Sequence, residues 1–365
     1  MMLFALITRF VMFGLMWYSL RIWPPTWSHT GIVLGGWAQW DTHWYIANAL
    51  EGYARDPGAP AFFPLYSLLI RGGLEVTGRP HEWAPSVDIA IMISNVCFFA
   101  TVPLFAHLVQ QHWGDRVARV ATVLLSVSPF SFFFSAGYSE SLFLLLIVLT
   151  FLAGDARRWW LAALCVALAS TTRSVGLLLL PALLIEMWQT RTRIRDYVTV
   201  LAVAPLGLLA YCGFLWWQLG DPIAFLSAQQ QWGGPGYRVG FFLESIFGNP
   251  RILLYGGPDL HGIYMPVILL NVILWGIGIV SLYGAVRWLK GGIALFTATL
   301  VVSQGVISWI SLGRYLLPAI GVYIVLALWI ERSRFREALL LAIVSVSLML
   351  LSLLLVMFGH AHWVI

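Results

Sequence analysis

The chain has 365 residues, of which 60% are hydrophobic and only 10% are charged, and its mean hydropathy is +0.84. Soluble domains carry about 25% charged residues, so this composition excludes a water-soluble globular protein and indicates an integral membrane protein. The formal net charge of +5 does not indicate nucleic-acid binding, and three cysteines far apart in apolar runs suggest neither a disulfide framework nor a zinc site.

Apolar runs long enough to cross a bilayer, about 20 residues each, recur along the chain. The first, from Leu3 to Trp23, has no small-residue cleavage site and is predicted to be retained as a span. The join between the short fifth and sixth spans carries Arg173, and a charge at that depth costs about 2.5–3.5 kcal/mol unless it faces a wet cavity. The sequence therefore predicts such a cavity. The eleven predicted spans lie near residues 4–22, 86–109, 117–136, 139–154, 158–172, 174–188, 197–217, 263–286, 292–312, 315–330 and 337–358.

The basic residues predict the orientation of the chain. If the N-terminus is cytoplasmic, thirteen basic residues, Arg9 among them, fall on the cytoplasmic side and eight fall on the other side. The positive-inside rule favours this arrangement. Every cytoplasmic connection is then short, whereas two long loops, about 23–85 and 220–262, lie on the outer side. We therefore expect one membrane domain over residues 1–365, with its chemistry on the outer face.

The first outer loop holds an acidic residue within an aromatic stretch. Asp41 and His43 are flanked by tryptophans, including Trp40, and helix formers dominate from Thr42 to Tyr53. Asp41 therefore fits the N-cap of an amphipathic helix, and a cap and a catalytic base are compatible roles. His43 is either a second polar group of the same site or a hydrogen-bonded interfacial residue.

Further polar residues interrupt apolar sequence at the outer ends of predicted spans. Tyr138 and Glu140 open the fourth span, where a carboxylate complements the helix dipole, so a capping-box role and a site role are both open. Arg173 and Arg314 lie on the same side. Two guanidiniums facing one cavity suit a lipid phosphate, because Arg binds phosphate bidentately. The alternative for each is a side chain that snorkels to the headgroups.

The second outer loop combines amides with an indole. Gln229 and Gln230 precede Trp232 beside a Gly/Pro turn, and Arg238 follows it. Amides that bond hydroxyl groups and an indole that stacks on a ring are what a sugar requires. Taken alone, this signal is weak.

Six sequence strings together resemble the GPI mannosyltransferase II (phosphatidylinositol-glycan class V) family in its short bacterial form. They span residues 40–323 in the family's order. The chain is thereby similar to the GT-C superfamily of polytopic glycosyltransferases, which implies an all-α membrane fold of about 11 transmembrane helices, with amphipathic helices in the long first outer loop. The strings are WDTHWYIANALEGY, AFFPLYSLLIR, SPFSFFFSAGYSESLF, TTRSVGLLLLP, DPIAFLSAQQQW and RYLLPAIGVY.

The resemblance implies an inverting transfer of one sugar, usually mannose, from a polyprenyl- or dolichyl-phosphate carrier to a glycolipid or glycan acceptor. In GT-C enzymes the acidic residue of the first outer loop is the general base, and that position matches Asp41. The expected location is the bacterial cytoplasmic membrane, with the active site on its outer side. Arg173 and Arg314 are expected to bind the donor phosphate. The residues expected to bind sugar or acceptor are His43, Trp40, Tyr138, Glu140, Gln229, Gln230, Trp232 and Arg238.

No metal or other cofactor is expected. The leaving phosphomonoester is already anionic, so the two arginines could stabilise its developing charge without a metal. The alternative is a Mn or Mg ion held by Asp41, His43 and Glu140, although hard cations prefer more carboxylates.

Two other functions fit part of the sequence. A secondary transporter or lipid flippase also has broken spans and membrane arginines, but it seldom has a long aromatic outer loop with an Asp beside the first span. A non-catalytic binder of lipid-linked sugars would keep the aromatic and Arg residues without needing Asp41. Substituting Asp41 while following both ligand binding and turnover separates these functions from an enzyme.

Overall fold

The computed structural model describes residues 1–24, 34–232, 265–307, 311–362 and 364, and this part of the chain is helical and contains no strand. The predicted all-α architecture is therefore confirmed. The helices are α1 (Met2–Ile22), α2 (Asp41–Glu51), α3 (Pro64–Thr77), α4 (Trp83–Val127), α5 (Glu140–Asp155), α6 (Trp159–Ser170), α7 (Leu179–Gln189), α8 (Ile194–Val203), α9 (Leu206–Leu219), α10 (Ala224–Trp232), α11 (Met265–Trp288), α12 (Gly291–Ile307), α13 (Leu312–Tyr315), α14 (Ile320–Arg332) and α15 (Arg336–Gly359).

Five helical segments of the described chain are long and apolar enough to cross a membrane. Shorter apolar helices lie at Trp159–Ser170, Ser174–Gln189 and Gly291–Gly305, so the predicted short fifth and sixth spans are indeed short. The five long segments are Met2–Ile22, Trp83–Val127, Ile194–Leu219, Pro266–Trp288 and Arg336–Gly359.

Two predicted spans are too long, and proline explains both errors. The span predicted at 117–136 leaves the helix after Val127, because Ser128 precedes Pro129 and a residue before proline is pushed out of the helical region. The span predicted at 315–330 is helical from Ile320, just after Pro318, because proline lacks the N–H group that a helix interior needs. Both interruptions lie beside predicted site residues.

Helix α4 covers the predicted span 86–109 and the first part of the predicted span 117–136, with a kink between them. Gly114 has φ +85° and ψ +169°, a backbone conformation that glycine adopts readily and that other residues avoid. The chain therefore kinks at this glycine, which separates two helical stretches.

Arg9, which the orientation count assigns to the cytoplasmic side, lies within helix α1 and not in a loop. Its side chain is buried within the bundle, with 2% exposure. The guanidinium donates hydrogen bonds to the carbonyls of Ser131 (2.7 Å) and Ser126 (3.1 Å) and lies 4.2 Å from the ring centre of Phe98. These carbonyls belong to the end of α4 and the turn after it, where a helix leaves acceptors unpaired. Arg9 thus anchors the segment that leads into α5.

Helix α5 lies in the core of the bundle, between α4 and α6, while α6 also packs against α8 and α9. The first outer loop forms α2 and α3, which pack against each other and against α4. A smaller apolar cluster that includes Tyr53, Phe63 and Tyr211 joins this loop to α9, and the Tyr211 hydroxyl donates to the carbonyl of Pro60 (2.8 Å). The first outer loop therefore packs against α4 through α2 and α3, and against α9 through this smaller cluster.

A polar cluster joins four elements at the end of the bundle remote from Glu140. Lys290, between α11 and α12, bonds to Asp155 at the end of α5 and to Glu186 of α7 (3.3 Å), while His112 of α4 bonds to Asp155 (2.7 Å). Burial lowers the pKa of Lys290, but hydrogen bonding to Asp155 and the charges of both carboxylates outweigh burial and leave that pKa above its ordinary value. Lys290 therefore stays charged and holds these helix ends together.

Glycine at position 207 is required by the close approach of α9 to α6. A Cβ atom on Gly207 would overlap the backbone carbonyl of Ala167, whereas a Cβ atom on Gly213, on the exposed side of α9, would meet nothing within 4 Å. Overpacking costs about 1–3 kcal/mol. We predict that Gly207→Ala lowers the melting temperature in detergent, while Gly213→Ala leaves it unchanged or raises it. Equal melting temperatures for the two variants would contradict the described α6–α9 contact.

Candidate functional site

Asp41 is the first residue of α2, and its carboxylate is turned toward Arg314. The N-cap position is held by Trp40, whose backbone has φ +52° and ψ −111°, and no side chain caps this helix. The expectation that Asp41 caps α2 is therefore wrong. Instead, Asp41 Oδ2 accepts from Arg314 Nη2 at 2.6 Å, because the unusual backbone at Trp40 places Asp41 at the very start of the helix.

Glu140 is the first residue of α5, and it too does not act as a cap. Its Oε1 atom accepts hydrogen bonds from Arg173 Nη1 (2.6 Å) and from Arg314 Nε (2.5 Å). The side chain is 1% exposed. A buried carboxylate is tolerated only with such partners, and the helix N-terminus adds a favourable dipole. Of the two roles left open for Glu140, the capping box is not observed.

The two arginines come from the interruptions between helices. Arg173 has an extended backbone at the break between α6 and the 3-10 turn Ser174–Leu178, and Arg314 lies in the short helix α13. Arg314 is buried, so the alternative that it snorkels to headgroups is wrong for this residue. The broken spans thus bring both guanidiniums to the N-terminal end of α5.

These four residues form one charge network, in the order Asp41, Arg314, Glu140 and Arg173. Its formal charges cancel. The two central side chains, Arg314 and Glu140, are 4% and 1% exposed, whereas Asp41 and Arg173 are 22% and 16% exposed. The network therefore presents a carboxylate at one end and a guanidinium at the other, while its centre is closed.

Aromatic rings enclose the Arg314 guanidinium. Its central carbon lies 4.7 Å from the ring centre of Tyr138, 5.2 Å from Phe133 and 5.4 Å from Tyr315, and Tyr315 also lies 5.3 Å from Arg173. Ring faces attract a cation, the more so when it is desolvated. Neither Phe133 nor Tyr315 is predicted as a site residue; their position within the strings SPFSFFFSAGYSESLF and RYLLPAIGVY is the signal that could have identified them.

Tyr138 is expected to contact sugar or acceptor, and the structure places it in the interior. The residue is fully buried, and its hydroxyl accepts from the Asp41 amide (3.2 Å) and donates to the carbonyl of Gln39 (3.1 Å). Glu140, also expected to touch sugar, is closed off in the same way. Both residues contact the network from inside the protein: the Tyr138 hydroxyl bonds to the backbone beside Asp41, and Glu140 Oε1 bonds to both arginines.

The other predicted sugar-binding residues differ in how the structure places them. His43 is half-buried on α2 and lies 4.6 Å, ring centre to ring centre, from Trp83, and Trp40 is half-buried beside Asp41. Gln229 lies on α10, which packs mainly against the turn at 59–61, so it is not joined to the charge network. The side chains of Gln230 and Trp232, and all of Arg238, lie outside the described residues.

The carboxylates of the site are occupied by arginines. Within the described residues there is no group of three His, Cys, Asp or Glu side chains placed to hold a metal ion. Each carboxylate has one oxygen bonded to arginine: Asp41 Oδ2 to Arg314, and Glu140 Oε1 to Arg314 and Arg173.

The chain resembles known proteins in sequence. Residues 27–215 match the family model described as Mannosyltransferase (PIG-V). GPI alpha-1,6-mannosyltransferase 2 of Mus musculus is 31% identical over 158 residues, which make up 42% of this chain and 32% of the mouse protein. The protein of that name from Homo sapiens is 31% identical over 168 residues, 42% of this chain and 34% of the human one. The chain thus matches about a third of the length of these relatives.

The fold resembles solved membrane glycosyltransferases of the GT-C type, as predicted. ArnT from Cupriavidus metallidurans bound to undecaprenyl phosphate superposes with a TM-score of 0.52 at 13% identity, covering 98% of this chain and 76% of that one. The archaeal oligosaccharyltransferase AglB from Archaeoglobus fulgidus, in complex with an inhibitory peptide and a dolichol-phosphate, superposes with a TM-score of 0.53 at 15% identity. This match covers 98% of this chain and 56% of that one.

The central position of Glu140 predicts a large loss of stability when its charge is removed. Glu140→Gln leaves Arg173 and the buried Arg314 with a single carboxylate, and breaking a buried ion pair costs about 3–5 kcal/mol. Glu75→Gln is the control, because Glu75 and its partner Arg71 are 59% and 51% exposed and exposed pairs contribute little. Thermal melting in one detergent should show a clear drop for Glu140→Gln only. A Glu140→Gln melting temperature equal to that of the control would contradict the described pairing.

Proposed function

Because the chain belongs to the mannosyltransferase (PIG-V) family, we propose that it transfers one sugar, mannose in the first instance, from a polyprenyl- or dolichyl-phosphate carrier to an acceptor hydroxyl. The observation that carries this proposal is the charge network, which offers an accessible carboxylate and an accessible guanidinium on either side of a closed centre. Support for the carrier comes from two proteins of the same fold, one bound to undecaprenyl phosphate and one to dolichol-phosphate.

We assign the role of general base to Asp41. It is the more exposed of the two carboxylates, and Arg314 binds its Oδ2 atom, which leaves Oδ1 to accept a proton from the acceptor hydroxyl. As that proton moves, the acceptor oxygen attacks the anomeric carbon, and the bond from this carbon to the phosphate oxygen breaks. The phosphomonoester leaves with the electron pair. One displacement of this kind inverts the anomeric centre.

Arg173 is the residue we assign to the donor phosphate. It is more exposed than Arg314, and it stands at the opposite end of the network from Asp41. A planar guanidinium can bind two phosphate oxygens at once and stabilise the charge that develops as the phosphate departs. Arg314 already binds two carboxylates, so it would reach the phosphate only by giving up one of them. Its role is to orient Asp41 and to add positive potential.

The proposed reaction needs no metal ion. It takes place on the non-cytoplasmic side of the membrane. Arg173, Arg314 and the N-terminus of α5 supply the positive charge that a metal provides in other transferases. Glu140, Arg173 and Arg314 all lie at the end of the bundle that the positive-inside rule assigns to the outer face. Burial of Arg9 removes one residue from the cytoplasmic count and leaves the excess there.

Asp41→Asn is predicted to abolish transfer while the fold and donor binding persist. The amide cannot accept the proton, and loss of a general base removes about 10²–10⁴ in rate. The assay is conversion of a short-chain polyprenyl-phosphate mannose by purified protein in nanodiscs, with a membrane lipid extract as acceptor. Glu51→Gln, which alters an exposed carboxylate of the same helix, should keep full activity. Turnover of Asp41→Asn above a tenth of wild type would refute the assignment.

Arg173→Lys is predicted to weaken binding of polyprenyl phosphate by at least about tenfold, which corresponds to the loss of about 1.4 kcal/mol. Lys keeps the charge but lacks the planar fork that binds two oxygens. Arg71→Lys is the matched control, because Arg71 lies on α3 of the first outer loop and is exposed. Affinity can be measured with farnesyl phosphate by calorimetry. Wild-type affinity in Arg173→Lys would place the phosphate site elsewhere, with the second outer loop as the next region to test.

A further inference from the structure

The backbone immediately before the proposed base is held in an unfavourable conformation. Trp40 has φ +52° and ψ −111°, the mirror image of the extended region, which glycine enters freely and which a side chain makes costly. Such backbone outliers persist only when their surroundings hold them, and they concentrate at functional sites. What holds Trp40 therefore also determines where Asp41 points.

The hydroxyl of Tyr138 bridges the two residues on either side of Trp40. It donates to the carbonyl of Gln39 at 3.1 Å and accepts from the amide of Asp41 at 3.2 Å. An amide at the first position of a helix has no partner within the helix, so the hydroxyl satisfies a group that would otherwise be unpaired. One side-chain atom thus fixes both peptides that flank the strained residue.

Tyr138 is itself held rigidly. Its carbonyl accepts from the Ser94 hydroxyl (2.9 Å), and the Ser94 oxygen is 2.7 Å from the Tyr66 hydroxyl. The preceding residue, Gly137, donates its amide to the carbonyl of Trp37 (3.2 Å). The ring of Tyr138 lies 4.7 Å from the guanidinium carbon of Arg314, the cation that binds Asp41. The same side chain therefore contacts the backbone of the base and the ion that pairs with it.

We propose that Tyr138 is a positioning residue, whose hydroxyl clamps the strained peptide at Trp40 and so aims the Asp41 carboxylate at the acceptor. The inference rests on the proposed function for its catalytic consequence. Its structural part, the clamp, stands on the hydrogen bonds alone. Tyr138 is fully buried, so it acts through Asp41 and does not touch the substrate.

The test compares Tyr138→Phe with Tyr211→Phe. Both remove one hydroxyl from a buried ring, and Tyr211 bonds only to the carbonyl of Pro60, away from the charge network. With the short-chain mannosyl donor, kcat of Tyr138→Phe should fall about tenfold or more, because small misplacement of a reacting group costs rate, while the donor KM stays within about twofold. Tyr211→Phe should keep the wild-type kcat. An unchanged kcat in Tyr138→Phe, or a rise in donor KM that matches the loss of kcat, would overturn the positioning role.

Amide hydrogen exchange tests the clamp without requiring any turnover. In Tyr138→Phe the peptide covering residues 38–45 should exchange faster than in wild type, and in Tyr211→Phe it should not. Unchanged exchange in Tyr138→Phe would overturn the clamp. If wild-type protein transfers no sugar, the proposed function fails, and the exchange result still decides whether Tyr138 holds this segment.

A second pair of variants covers the case in which Tyr138→Phe does not fold. Trp40→Gly and Trp40→Ala both remove the indole and differ in their tolerance of a positive φ. Because the clamp holds this conformation in both, Trp40→Gly should melt at a higher temperature than Trp40→Ala, opposite to the usual order of the two residues. A higher melting temperature for Trp40→Ala would show that the backbone is not strained and would overturn the inference.

Discussion

Glu140 binds two arginines through one oxygen, and the end of the bundle at the start of α5 is organised around this interaction. An ionised carboxylate without partners could not remain buried at the start of α5. Arg173 and Arg314 neutralise it. Both arginines come from the interruptions between the long helices, Arg173 after α6 and Arg314 in the short helix α13. Arg314 then extends the chain of charges to Asp41 in the first outer loop. One buried carboxylate thus joins three segments that are remote in sequence.

The closed centre of the network separates two open ends. Charges that must be desolvated are costly to bury unless their geometry is fixed, and here the aromatic rings around Arg314 fix it. Asp41 and Arg173 keep enough exposure to meet ligands. If Asp41 is the base and Arg173 binds the phosphate, as proposed, this arrangement suits a displacement in which the acceptor approaches from one side and the carrier phosphate departs from the other.

Sequence patterns predicted most of the helices and singled out the four residues that the structure joins in the network. Runs of apolar residues locate α1, α5 and α15 closely, because burial in a bilayer leaves an unmistakable composition. The helix end before Pro129 and the helix start after Pro318 were placed wrongly, because a hydropathy value averaged over a long window does not register a single proline. Asp41, Glu140, Arg173 and Arg314 stood out because charges are rare in such sequence.

The pairing of these charges could not be read from the sequence. Asp41 and Glu140 looked like helix caps, since an acidic residue at a helix start is usually local in its effect. Their partners lie far along the chain, 174 positions from Glu140 in the case of Arg314, and no periodicity encodes such a contact. Tyr138 and Arg9 show the same limit: both look like exposed polar residues in sequence, and both are buried by tertiary bonds to backbone groups.

The central claim is that a single carboxylate base, Asp41, drives direct displacement of the carrier phosphate. The most direct measurement is the anomeric configuration of the product, determined by nuclear magnetic resonance after wild-type protein in nanodiscs has used a donor of defined anomer. The account predicts a product of the opposite configuration, formed without a covalent glycosyl-protein. Retention of the donor configuration would require a second carboxylate to act as nucleophile and would contradict it.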